Sequence, residues 1–140
     1  MIVTTTWQGK RAFTSVGDSG YPVGMDATAA YGGDGKGATP MELVLAGLAG
    51  CIGIDVTMIL NRFLESIRHM EIVADGARKE EMPTGFTAIE LTFKVDGDIE
   101  GFRIWKAIEL GHKKYCAVSD SLKADIRYKV VLNGEEVPQA

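Results

Sequence analysis

The order of hydrophobic patterns along the 140 residues predicts a single α+β domain spanning 1–140. Three observations carry that prediction. Short runs of alternating β-branched residues, punctuated by glycine turns, open the chain. A long apolar segment with a strong helix-start signal follows. Two more strand patterns, a second helical repeat and a last strand complete the order, with no internal repeat, linker or low-complexity segment.

Ile2 to Trp7 alternates as a strand does and ends in the turn signal Gln8-Gly9-Lys10. Arg11 to Val16 returns, Gly17-Asp18-Ser19-Gly20 turns again, and Tyr21 to Asp26 makes a third strand, which together predict a β-meander. The glycine-rich stretch around Tyr31-Gly32-Gly33-Asp34-Gly35-Lys36-Gly37 reads as a mobile surface approach to a helix. It lacks the Lys-Ser or Lys-Thr that a phosphate-cradling loop needs.

Thr39 occupies an N-cap slot, Pro40 the first helical position, and Glu42 completes a capping-box pattern. From there the chain is apolar through Leu60, so the predicted helix should be buried on most sides and sit at the centre of the fold. Gly47, Gly50 and Gly53 suit places where another backbone approaches closely. Asp55, the three glycines and a cysteine favour a core helix over a membrane span. Met70 to Ala77 and Phe86 to Val95 read as strands around a charged hairpin. Asp98 is the expected cap of a second helix from Ile99 to about Tyr115, spaced by Phe102, Trp105, Ile108 and Leu110. A short helix over Val118 to Lys123, begun at Ser119, and a final strand from Asp125 to Leu132 close the domain at the turn Asn133-Gly134.

The bulk numbers narrow the function. A net charge of −4 and the lack of any basic run argue against a nucleic-acid partner. The first residues show no basic region followed by a long apolar run, so a cytoplasmic location with reduced thiols is the expectation. Two cysteines in that setting are either small core residues or a redox pair. Cys51 shares its helix face with Gly47, Leu48, Ile54 and Asp55, an apolar and acidic setting that favours the thiol over the thiolate. Cys116 follows His112-Lys113-Lys114-Tyr115, whose cations either serve the helix dipole or lower the thiol pKa. His69 and His112 are too few and too isolated for a zinc site, so no metal and no other cofactor is expected.

Two segments carry a resemblance. Ala38-Thr39-Pro40-Met41-Glu42-Leu43-Val44-Leu45-Ala46-Gly47-Leu48-Ala49-Gly50-Cys51, with Ile54-Asp55-Val56 after it, resembles the central helix of the OsmC/Ohr family of osmotically induced and organic-hydroperoxide-resistance proteins. Tyr115-Cys116-Ala117-Val118-Ser119-Asp120-Ser121-Leu122 resembles that family's second cysteine motif. The resemblance covers nearly the whole chain. It implies an intertwined α+β homodimer with long helices at the centre and two shared active sites. It also implies a peroxide substrate attacked by Cys51, a Cys51 sulfenic acid resolved by Cys116, and reduction of the disulfide by an unidentified dithiol.

Two departures matter. Met41 stands where peroxidase members carry a glutamate, and Glu42 is one place later. On a regular helix Glu42 points roughly away from Cys51 and lies roughly 14 Å along the axis from it, so it reads as a capping residue. Peroxidase members take a thiolate-holding arginine from the N-terminal half, so the resemblance implies Arg11, the only arginine before Cys51, as the candidate thiolate partner. Met41-Glu42-Leu43 and Gly53-Ile54-Asp55-Val56 resemble a less characterised branch, the YhfA-like proteins. The functions implied are a thiol peroxidase using Cys51 and Cys116, a stress-associated or binding module with structural cysteines, or another thiol enzyme such as a reductase.

Overall fold

The computed structural model describes residues 1–140. The chain divides into two compact units, Met1–Val44 and Leu45–Ala140.

In the first unit, β1 (Thr4–Gly9), β2 (Ala12–Val16) and β3 (Pro22–Met25) form the expected antiparallel meander. Gly9 and Lys10 both take positive φ, 107° and 47°, which is what lets so short a connection reverse the chain. The glycine-rich stretch differs from the mobile segment expected. Buried Asp26 organises it: one carboxylate oxygen accepts the Ala27 N–H, and the other accepts the N–H groups of Asp34 and Lys36. These bonds, that from Lys36 foremost, hold the Asp26 carboxyl below the usual aspartate range, against the opposing effect of burial. Thr39 and Glu42 then form a reciprocal capping box. The Thr39 N–H donates to Glu42 Oε2 at 2.9 Å, and the Glu42 N–H donates to Thr39 Oγ1 at 3.4 Å.

Helix α1 (Pro40–Ile59) runs from that box into the second unit. It is long and apolar enough to cross a membrane, yet Leu48, Ile52 and Val56, at one-turn intervals, lock one stripe of it into the core. The second sheet has the order β4 (Ile67–Arg78), β5 (Phe86–Gly97), β6 (Asp125–Leu132), β7 (Glu135–Glu136). β5 and β6 are parallel, so the chain needs a crossover between them. Helix α2 (Gly101–Leu110), a π-helical turn (Gly111–Tyr115) and helix α3 (Ala117–Ser121) supply it. Alternate residues of β5 (Ile89, Leu91, Phe93 and Val95) point inward and meet Leu48, Ile52, Ile104, Ile108 and Val130 in one core.

Two helix starts differ from expectation. Glu100, not Asp98, precedes α2; the Asp98 N–H donates to the Ser66 carbonyl, so backbone pairing with the β4 side runs on past the end of β5 and the helix starts later. Helix α3 begins at Ala117, with Cys116 in the cap position expected for Ser119. The central helix also buries less than its composition demands. Ile54 and Met58 remain 61% and 70% exposed, and a side chain at Gly47 or Gly50 would meet nothing within 4 Å. Only Gly53 answers the close-approach reading within this chain, facing Ile72.

Candidate active site

The two cysteines meet through three local features. Cys51 sits on α1, half-buried beside the core stripe, with Asp55 one turn further on. Gly111 opens the π-helical turn where α2 reaches α1; a methyl group there would stand 3.0 Å from Ile52 Cδ1 and 3.3 Å from Asp55 Cβ. The turn closes with the Cys116 N–H on the Gly111 carbonyl at 2.8 Å, which delivers Cys116 to the start of α3. As a result the Cys51 and Cys116 sulfurs and an Asp55 carboxylate oxygen all lie within 4.8 Å of one another. No disulfide joins the sulfurs, and Cys116 is only 3% exposed.

Backbone amides of the turn into α3 act on both cysteines. The Ser119 N–H donates to Cys116 Sγ at 3.4 Å, and the Val118 backbone amide is the one group that lowers the Cys51 thiol. Ser119 Oγ donates to the Cys116 carbonyl at 3.0 Å and fixes the turn. Electrostatically the cluster works against Cys51. Burial pushes its thiol above the ordinary range, Cys116 and Asp55 push it further, and only the Val118 N–H pulls down. No cation is among the groups acting on it. Asp55 Oδ2 is buried without a hydrogen-bond partner, an omission that costs on the order of 1–3 kcal/mol unless something fills it. Asp55, Met58, Ile59, Leu110 and Tyr115 line a mainly apolar cavity of about 300 Å³ beside this cluster.

The other candidates make local contacts of their own. Glu42 is exposed and spent on the capping box. Arg11 is exposed, and its guanidinium lies against Gly32. His69 faces Glu71 across 3.7 Å on β4, and His112 Nδ1 pairs with Tyr128 Oη at 2.7 Å, so neither histidine joins the thiols. Tyr128 escaped sequence reasoning; burial first, and then Cys116, push its phenol upward. Nothing in its strand pattern marks it, since only the parallel pairing of β6 on β5 brings it to the cluster's side of the sheet.

Residues 33–131 match the family profile described as OsmC-like protein. The chain belongs to the OsmC-like family. Protein YhfA of Escherichia coli K12 is 34% identical over 136 residues, covering 94% of this chain and 98% of that protein. An OsmC-like protein of Mycoplasma pneumoniae has the same fold, with a TM-score of 0.76 at 18% identity over 94% of this chain and 95% of that one. So has an organic hydroperoxide resistance protein OsmC of Legionella pneumophila, with a TM-score of 0.61 at 16% identity over 94% of each chain. The OsmC-like fold anticipated from the two cysteine motifs is thus the fold of this chain.

Proposed function

We propose that this OsmC-like protein is a thiol-dependent hydroperoxide reductase in oxidative-stress defence, with Cys51 attacking and Cys116 resolving. The observation that carries the reading is the approach of the two sulfurs to within 4.8 Å inside one chain. The Cys51 thiolate attacks the distal oxygen of the hydroperoxide, the O–O bond breaks, and an alcohol leaves with a proton from solvent. The resulting sulfenic acid condenses with the Cys116 thiol, forming the S–S bond and releasing water. A dithiol then reduces the disulfide. The apolar cavity beside Asp55 suits the organic part of an alkyl or aryl hydroperoxide.

Activation is the demanding step, because burial, Cys116 and Asp55 all favour the Cys51 thiol. Arg11 is the proposed source of the missing positive charge. A second copy of the chain is the proposed cover for the bare side of α1, where Ile54 and Met58 are exposed and Gly47 and Gly50 leave room for a helix. The homodimer that places the long helices at its centre satisfies both the composition of α1 and its exposure.

Stopped-flow consumption of cumene hydroperoxide by the reduced protein tests the reaction. Wild type should consume it rapidly, Cys51→Ser not at all, and Cys116→Ser for a single turnover that stops at the sulfenic acid. Wild-type consumption no faster than that of Cys51→Ser leaves the family fold with structural cysteines instead.

A further inference from the structure

We propose that Cys51, Asp55 and Cys116 form a binding site for a zinc ion. Three protein donors of the right kind converge from two elements: two sulfurs and a carboxylate oxygen, mutually within 4.8 Å. Around a tetrahedral zinc with bonds of roughly 2.3 Å to sulfur and 2.0 Å to oxygen, donors stand roughly 3.5 to 3.8 Å apart. The cluster, with its donors within 4.8 Å of one another, therefore needs to close by at most roughly 1.0 to 1.3 Å to hold the ion.

A second observation points the same way. Asp55 Oδ2 is buried and unpartnered, an orphan acceptor within a cluster of metal-ligating groups. A divalent ion satisfies it, where the neighbouring sulfurs do not. A supporting contact is that of a metal-held thiolate: the Ser119 N–H donates to Cys116 Sγ at 3.4 Å and orients that sulfur. Two thiolates and a carboxylate select a borderline ion such as zinc over magnesium or calcium, whose preferred ligands are all oxygen. Binding releases the two thiol protons to solvent. Three protein ligands leave the fourth position to water or a small ligand, reached from the cavity lined by Asp55, Met58 and Leu110.

This site goes beyond the peroxidase reading and does not depend on it. The test is cobalt titration of the reduced, chelator-stripped protein under anaerobic conditions, followed by zinc competition against a chromophoric chelator. Wild type should take up one cobalt per chain, with a thiolate-to-cobalt charge-transfer band and the intense visible bands of tetrahedral coordination. Cys51→Ser and Cys116→Ser should each lose charge-transfer intensity. Asp55→Asn, which keeps the shape of the side chain, should keep the wild-type circular dichroism and weaken zinc at least about tenfold. No charge-transfer band in the wild type, or unchanged zinc affinity in Asp55→Asn, overturns the proposal. A protein that binds cobalt in this way but spares cumene hydroperoxide keeps the metal site and loses the peroxidase reading; the reverse pair of results does the opposite.

Discussion

The joint between α1 and the π-helical turn should show itself in a double-mutant cycle at Gly111 and Ile52. A methyl at Gly111 would stand 3.0 Å from Ile52 Cδ1, about 0.5 Å or more inside an ordinary carbon contact. Overpacking of that kind costs about 1–3 kcal/mol. Gly111 has φ −58° and ψ −48°, a helical conformation in which alanine gains about 1 kcal/mol over glycine. Gly111→Ala should therefore lose about 0–2 kcal/mol of stability to urea. Ile52→Val removes Cδ1 and should by itself cost about 0.5–1.5 kcal/mol. In the double variant the closest clash is gone and the alanine preference remains. It should be no less stable than Ile52→Val alone, a coupling of about 1 kcal/mol. Urea denaturation at fixed protein concentration measures all four corners. The same clash pushes Cys116 away from Cys51, so Gly111→Ala should also form the disulfide more slowly in oxidised glutathione. Additivity of the two substitutions within about 0.3 kcal/mol would show that this contact does not set the joint.

Asp55→Asn removes one of the groups that raise the Cys51 thiol, so its iodoacetamide reactivity should rise at lower pH than in wild type; an unmoved profile refutes the electrostatic account. Because the folded thiol sits above its ordinary range, the unfolded chain ionises first, and stability should fall as pH rises through the thiol range. Asp26 has the opposite sign: held low in the fold, it contributes fully above the ordinary aspartate range and loses that contribution as pH drops through its folded value. Hydrogen exchange at the Asp34 and Lys36 amides should accelerate on that acid side, and in Asp26→Asn at neutral pH. Light scattering should find a dimer for wild type and a monomer for Ile54→Arg, whose exposed position leaves the core of the chain untouched; a dimeric Ile54→Arg would place the partner elsewhere.

What was legible in the sequence was local. The meander, the Thr39–Glu42 box and the alternation of β5 each rest on residues close together in the chain, where turn chemistry and periodicity act directly. The π-helical turn was not legible, because Gly111 to Tyr115 has the spacing of an ordinary helix end and only packing on α1 decides otherwise. The start of α2 was hidden for the same kind of reason: the Asp98 N–H to Ser66 carbonyl bond, a tertiary contact, keeps Asp98 on the strand side and the helix begins after Glu100. The cysteine motifs identified the family, but no pattern within either motif says that both sulfurs lie within 4.8 Å of the same carboxylate.

That carboxylate alters how the thiol pair is understood. A peroxidatic cysteine needs charge that favours the thiolate, and Cys51 has an anionic neighbour fixed one turn away by the helix itself. Gly111, whose missing side chain leaves room for Asp55 Cβ, lets α2 approach α1 at this point. An acidic group beside two thiols, with one oxygen buried and unpaired, is the feature that the zinc proposal explains by a cation completing the cluster. An arginine that does so yields a reactive thiolate, and a zinc ion yields a protected one. On these two proposals the same three residues would serve either role, and the cation that reaches them would decide which.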